Sequence, residues 1–393
     1  MQRDSDSDRL LPVARRVFIT AAEASGDQNA AALIASLKSL DPQIEIEGLG
    51  GPKMAAAGAK LLEDTVERAA MGWRGALRAL EARRWMKKTS ARYYEAKPDL
   101  HICVDSSAIN IPFAKLAKSF NVPVLYYVAP QLWASREGRI RKMRKYVDHV
   151  ACIFPFEQEY FRSRGVKATF VGHPLFDQLP ADRNLEPPHN LSPVVGIIPG
   201  SRRSEVKANL PHLIDVMDRI RGEFAGAKFL LPTTSASDAI VRQMLHGRDA
   251  HATVKQGAFD EFVPQCDLVI TKSGTSTVHV AAWNVPIIVV YRINPLLWHL
   301  AGRWLIKTRK IAMVNILAGQ IDLVPEFIPW YGSNAAVGDC AIDLLKHPEK
   351  LADQRQKLAK VMRQLDRPGA SMNAAKIAME LLEQGSTRSK VVL

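Results

Sequence analysis

The chain has 393 residues and a mass of 43.6 kDa, long enough for two ordinary domains, and at 47% hydrophobic and 24% charged residues it is neither disordered nor a disulfide scaffold. Its 23 Gly and 23 Pro are too few for a collagen-like rod. The 53 Lys and Arg against 40 Asp and Glu leave a formal charge of +13 and a pI near 9.6, which narrows the partners to nucleic acid, an anionic membrane surface or phosphorylated small molecules.

Residues 1–16 mix Asp4, Asp6 and Asp8 with Arg3, Arg9, Arg15 and Arg16 and lack the apolar core of a signal peptide, so export is not expected. From residue 17 to about 345, short apolar runs alternate with helical patterns, which is an α/β signature. Strands are expected at 17–20, 44–47, 100–104, 122–127 and 150–154, and again at 194–198, 229–231, 268–271 and 287–291. A helix over 205–221 sets Leu210, Leu213, Ile214, Met217 and Ile220 on one stripe. Residues 178–193, with Pro180, Pro187, Pro188 and Pro193, carry no apolar stripe and read as a linker between two doubly wound, Rossmann-like domains, 17–177 and 194–345. Such a pair would face across a cleft at the carboxyl ends of both sheets. Residues 346–393 read as helices, with 384–393 a frayed basic tail. No run approaches the roughly 18 apolar residues needed to span a bilayer, since even 296–306 contains His299, Gly302 and Arg303. Cys103, Cys152, Cys266 and Cys340 form no Cys-x-x-Cys pair, which points away from a zinc ribbon and toward a reducing compartment.

Four strand-to-helix junctions are rich in small residues: 22–27, 48–52, 199–202 and 273–277. Glycine lets the backbone approach a ligand, and a following helix offers N–H groups, an arrangement that suits phosphate. None matches the P-loop or the dinucleotide fingerprint, so neither ATP hydrolysis nor a nicotinamide cofactor is expected. Two of the loops fall in the second domain, one with Arg202 and Arg203, which points to a pyrophosphate held by Arg without a metal. No His, Cys and Asp set has metal-ligand spacing, and no cofactor is called for. Asp105 and Glu23 are the first-domain carboxylates placed for chemistry, although a strand-end Asp also caps turns. His173 reads equally as a packing residue. Trp73, Trp85, Trp298 and Trp304 are interleaved with Arg74, Arg78, Arg83, Arg303 and Lys307, a mixture that suits anionic lipid headgroups; the alternative is a solvated basic face beside core aromatics. The basic run 136–145 lacks any surrounding nucleic-acid module, so no nucleic-acid partner is expected.

Residues 22–27, Gly50-Gly51-Pro52, Met71-Gly72, Lys97-Pro98-Asp99, Trp133-Ala134, Phe170-Val171-Gly172-His173-Pro174-Leu175, Pro199-Gly200-Ser201-Arg202, Ser204-Glu205-Val206, Ser273-Gly274-Thr275, Tyr291-Arg292 and 315–319 together resemble the lipid-A-disaccharide synthase family, in order, from about residue 17 to 327. The resemblance implies a GT-B, inverting glycosyltransferase that transfers diacylglucosamine from UDP-diacylglucosamine to diacylglucosamine 1-phosphate at the cytoplasmic face of the inner membrane. It implies donor contacts from Gly200, Ser201, Arg202, Ser273, Gly274, Thr275, His279 and Asn315, an acceptor side with Glu23, Ser25, Gly26 and Asp27, and membrane contact through Trp73, Arg74, Trp298 and Trp304. A UDP-sugar epimerase would share the fold but needs an acid/base set not found here.

Departures gather at the implied site. Where the family has Asp-Ala-Pro-Asp-Phe-Asn and uses the second Asp as its proposed base, this chain has Asp105-Ser106-Ser107-Ala108-Ile109-Asn110. A family Glu is replaced by His279, an Arg by Gln320, and an acidic residue by Gly75. Asp105 is then the expected catalytic carboxylate, and a noncatalytic or altered-substrate descendant is the alternative. Acyl chain lengths and oligomeric state are left open by these residues.

Overall fold

The computed structural model describes residues 14–66, 76–248, 252–292, 308–331 and 333–391. The described chain forms two compact units, one holding residues up to 132, 137–177 and those from 368 onward, the other 133–136 and 178–367.

In the first unit, β1 (Arg16–Ala21), β2 (Glu45–Gly50), β3 (Lys60–Asp64), β4 (Leu100–Val104), β5 (Val124–Tyr127), β6 (His149–Cys152) and β7 (Ala168–Phe170) pair in parallel in the order β3-β2-β1-β4-β5-β6-β7. The helices α1 (Ala24–Leu40), α2 (Pro52–Ala56), α3 (Ala76–Glu95), α4 (Ser107–Ser119), α5 (Ile140–Tyr146) and α6 (Pro155–Arg162) connect them. A parallel sheet is covered on both faces, so its inner strands become continuous buried runs; every residue of β4 and β5 is buried.

The second unit repeats the plan. Its strands β8 (Val194–Ile198), β9 (Lys228–Thr233), β10 (Ala252–Gln256), β11 (Leu268–Lys272), β12 (Ile287–Val290) and β13 (Glu326–Phe327) pair in parallel as β10-β9-β8-β11-β12-β13. Around them lie α7 (Arg203–Glu223), α8 (Asp238–Leu245), α9 (Phe259–Phe262), α10 (Ser276–Ala282), α11 (Met313–Leu317), α12 (Asn334–Lys346) and α13 (Pro348–Met362). The stripe expected on α7 is buried in this unit's core, from Leu210 to Ile220. Residues 178–193 contain neither helix nor strand.

The last helix, α14 (Ala370–Val391), belongs to the first unit and packs on α1. It runs through the region expected to fray after residue 384. Its start is fixed by Asp177, whose carboxylate accepts the N–H groups of Gly369 (2.6 Å), Ala370 (3.0 Å) and Ser371 (2.9 Å). Among the described residues no helix is long and apolar enough to cross a membrane.

Both sheets reverse their winding beside their first strand, between β1 and β4 and between β8 and β11. Ligands of open α/β sheets bind at the carboxyl ends of strands at such reversals.

Candidate functional site

In the second unit the loops that leave the reversal are 199–202, after β8, and 273–275, after β11. Gly200 has φ +132°, and a Cβ there would stand 2.5 Å from Cβ and 2.8 Å from Oε2 of Glu205, so only glycine fits. Glu205 lies in the first turn of α7 and turns back under the loop. Its Oε2 accepts the N–H groups of Ser201 (3.1 Å) and Arg202 (3.3 Å), and its Oε1 accepts from Arg202 Nη1 (3.3 Å) and Lys272 Nζ (3.1 Å). Burial pushes the Glu205 carboxyl up, but Lys272 and Arg202 outweigh it and hold the group below its ordinary range. Lys272 ends β11, and its ammonium also lies 4.9 Å from the Tyr291 ring centre. Buried Asn209 braces the loop, donating to the carbonyls of Pro199 (3.0 Å) and Glu205 (2.9 Å) while accepting the Arg292 N–H (3.2 Å). Donors thus gather around the Glu205 carboxylate at the ends of β8 and β11, with Ser201, Arg202, Gly274 and Thr275 exposed. Glu205 lies in one of the motifs that carry the family resemblance, but its role in the loop is not legible there, and Lys272 carries no signal beyond a strand end.

His279, on α10, stacks on Phe259 with ring centres 4.1 Å apart, and its Nε2 donates to Asp260 Oδ1 at 2.6 Å. The same oxygen accepts the Trp283 indole N–H at 2.8 Å. Burial raises the Asp260 carboxyl, yet these two donors prevail and keep it below the usual range. With Nε2 carrying the proton, a neutral His279 keeps Nδ1 as an acceptor.

The first unit's reversal is flanked by residues 22–23, after β1, and 105–106, after β4. Asp105 and Ser106 are both left-handed, at φ +57° and +34°. The Asp105 carboxylate accepts the Ser25 hydroxyl on Oδ2 (3.1 Å) and the Ser106 N–H on Oδ1 (2.6 Å). Its backbone carbonyl accepts the Tyr126 hydroxyl (2.6 Å) and the Asn110 amide (2.8 Å), which also donates to the Val104 carbonyl (2.8 Å). Asn110 Oδ1 accepts the Thr20 hydroxyl at 2.7 Å. The Thr20 hydroxyl oxygen in turn accepts a hydrogen bond from His101 Nε2–H (3.1 Å), and His101 Nδ1 accepts one from the Tyr93 hydroxyl (2.5 Å). The chain of donors is complete only with a neutral imidazole, and full burial lowers the His101 pKa to about 3. Gly26 lies against Asp105, and Glu23 is half-buried at the start of α1, so these expected residues gather at one strand end. Ala108 is exposed in the first turn of α4.

Two of the expected ligands are engaged with the backbone of the fold. Asp27, expected on the acceptor side, is 2% exposed, and its carboxylate accepts the N–H groups of Gly51 (2.9 Å), Met54 (3.0 Å) and Lys53 (3.1 Å) at the start of α2. A Cβ on Gly51 would fall 2.6 Å from Asp27 Oδ2, which reserves that space for the carboxylate. Asn315, expected on the donor side, is fully buried, with its amide spent on the backbone of Val324 (2.9 and 3.0 Å) and on Glu326 (3.0 Å). Both side chains hold segments of backbone in place. His173 is buried with its ring against Phe154, and Trp85 lies in the first unit's core. Trp73, Arg74, Trp298 and Trp304 lie outside the described residues. Among the described residues, no group of three or more His, Cys, Asp or Glu is placed to hold a metal ion.

A family model described as lipid-A-disaccharide synthetase matches residues 17–381. The lipid-A-disaccharide synthase of Trichlorobacter lovleyi is 34% identical over 379 residues, covering 94% of this chain and 98% of that one. The Nitrosococcus oceani enzyme of the same name is 35% identical over 375 residues, covering 93% and 96%. Among solved structures, the kitacinnamycin glycosyltransferase has a TM-score of 0.64 at 15% identity, covering 94% of this chain and all of its own. MurG of Acinetobacter baumannii has a TM-score of 0.53 at 14% identity, covering 93% and 99%. At those identities the structures speak for fold alone, and the fold is GT-B.

Proposed function

The chain belongs to the lipid-A-disaccharide synthase family, and from that premise we propose that it is the inverting glycosyltransferase that moves diacylglucosamine from UDP-2,3-diacylglucosamine to 2,3-diacylglucosamine 1-phosphate. The observation that carries this reading is that the family match spans residues 17–381 and so includes the strand-order reversals of both sheets. The acceptor's 6-hydroxyl attacks the anomeric carbon, the bond from that carbon to the diphosphate oxygen breaks, UDP leaves, and the hydroxyl proton passes to a carboxylate. Asp105 is that carboxylate, held by Ser25 and by the backbone of Ser106 at the end of β4. Glu23, Ser25 and Gly26 flank it on the acceptor side. The donor-lined loops, with Gly200, Ser201 and Arg202 on one side and Ser273, Gly274 and Thr275 on the other, stabilise the charge that develops on the departing diphosphate. His279, its ring fixed by Asp260, offers Nδ1 to a sugar hydroxyl of the donor.

Acylated donor and acceptor both reside in a bilayer, and we place the protein at an anionic membrane surface from the cytoplasmic side. Exposed Leu80, Arg83, Arg84 and Lys87 on α3, and Arg141, Lys142, Arg144 and Lys145 on α5, support this. The test is transfer by the purified protein between the two acylated sugars. Wild type is expected to transfer, and Asp105→Asn to lose about 10²- to 10⁴-fold in rate with UDP affinity retained. Transfer untouched by Asp105→Asn would assign the base elsewhere. Bound UDP with no transfer at all would make the chain a binding protein.

A further inference from the structure

Four donors converge on one carboxylate in the second unit: the N–H groups of Ser201 and Arg202, the Arg202 guanidinium and the Lys272 ammonium all serve Glu205. None of the four groups can accept a hydrogen bond, so whatever fills their focus must be an acceptor, and an anionic one is favoured. A capping box accounts for the helix residue reaching back to loop N–H groups. It does not account for Lys272, which comes from a different strand and meets Glu205 with the two side chains only 18% and 13% exposed. Nor does it account for the loop being built around the carboxylate, with Gly200 kept bare by Glu205 itself. The focus lies at the reversal between β8 and β11, where the donor's diphosphate is placed above.

We propose that Glu205 is an internal competitor for the diphosphate site, and that Lys272 is the cation that exchanges between Glu205 and the donor's diphosphate. This inference rests on the donor-site reading of the preceding subsection. A diphosphate brings more charge and more acceptor oxygens than one carboxylate, so it takes the same N–H groups and the ammonium when it enters. Lys272 suits the exchange because its charge sits on a flexible four-carbon stem, and its second contact, the Tyr291 ring, is not a hydrogen bond that must be broken. Glu205, deprived of Lys272, swings toward solvent past Arg202, whose side chain is 67% exposed. The device favours release of UDP after transfer, since the carboxylate returns to the donors as the diphosphate leaves.

The two roles predict opposite signs. Lys272→Met, nearly isosteric and uncharged, should weaken UDP binding about 10- to 100-fold, the usual scale for a charge-assisted hydrogen bond, with Lys272→Arg restoring part of it. Glu205→Gln keeps the size and one oxygen acceptor for the loop but removes the charge, and should tighten UDP binding several-fold. Binding is measured by calorimetry with UDP and, in parallel, uridine, which lacks phosphate and should respond to neither change. Thermal unfolding of each variant checks folding, with Lys272→Gln in reserve should the Met variant melt early. If Lys272→Met and Glu205→Gln both weaken UDP, the pair is a structural brace and the proposal fails. It also fails if neither variant shifts UDP affinity while Arg202→Ala does, an outcome that leaves the donor site standing. Wild type that binds no UDP overturns the donor site and this inference together.

Discussion

Asp105 and Ser106 hold consecutive left-handed conformations, a state that costs about 1–3 kcal/mol for each non-glycine residue unless the surroundings impose it. Asn110 imposes it, because its amide ties down the carbonyls of Val104 and Asp105 while its oxygen is fixed by Thr20. Asn110→Ala would leave these buried groups unpaired, and a loss of about 2–4 kcal/mol is expected, read as a lower urea midpoint at an unchanged slope. Behind Asn110 stands His101, between Thr20 and Tyr93, with Cys103 buried on the same strand. Burial depresses its folded pKa to about 3 from the ordinary 6.5, so between those limits the unfolded chain binds more protons than the native one. Native stability is then unaffected by this group above pH 6.5 and falls as pH drops toward 3, by an amount on the order of 5 kcal/mol at the end of the window. A His101→Gln variant should flatten the stability profile between pH 6 and 4, as followed by urea melts; an unchanged slope would relocate the acid sensitivity. Ala108, three residues beyond Asp105, is exposed in the first turn of α4, where a negative charge is favoured by the helix dipole. Ala108→Asp should therefore fold normally, and it should raise the transfer rate by restoring the family's second carboxylate.

Elements tell a parallel story about long-range caps. Asp177 gives α14 its N-terminal acceptor from outside that helix, serving three successive N–H groups. Asp177→Ala should cost about 1–2 kcal/mol, and hydrogen exchange should show the first turns of α14 losing protection before the sheet does. Inner strands were legible in the sequence because a parallel sheet buries both their faces, as in 100–104, 194–198 and 268–271, where apolar runs need no partner to be recognised. The strands that escaped the reading, β3, β7, β10 and β13, are the sheet edges. Lys60, Glu63 and Asp64 in β3, and Lys255 and Gln256 in β10, are the polar residues that edges carry to avoid pairing with other chains, and they erase the apolar signal. The glycine-rich loops were legible for the reason they matter, close backbone approach. The pairing of Lys272 with Glu205 was not, since only the pairing of β8 with β11 brings residues 67 apart in sequence together. The backbone roles of Asp27 and Asn315 were not legible, because a polar side chain that serves its own backbone is written with the same letters as one that serves a ligand.

At the scale of the whole chain, the proposed chemistry is divided between two units, each with its own sheet and core. The proposed donor cradle, with Gly200, Ser201, Arg202, Glu205, Lys272, Ser273, Thr275 and His279, lies within 178–367, as does the apolar cluster from Val195 to Leu344 beneath it. The proposed base, Asp105, lies in the other unit, with its own cluster from Phe18 to Ala168. The two are not equally separable, because the first unit is completed only by α14, which the chain supplies after the second unit is finished. Ending the chain at residue 367 would strip α14, with its buried Ala374, Ala375, Ala378 and Leu382, from the first unit. That truncation should melt the first unit well below the second, as two resolved transitions in calorimetry. By contrast, a fragment of 178–367 keeps every proposed donor residue and should fold cooperatively, bind UDP within about threefold of the full chain, since the same contacts set the affinity, and transfer no sugar because the proposed base, Asp105, is absent. A folded fragment that fails to bind UDP would show that the first unit contributes donor contacts, and a fragment that transfers sugar would remove Asp105 from the reaction.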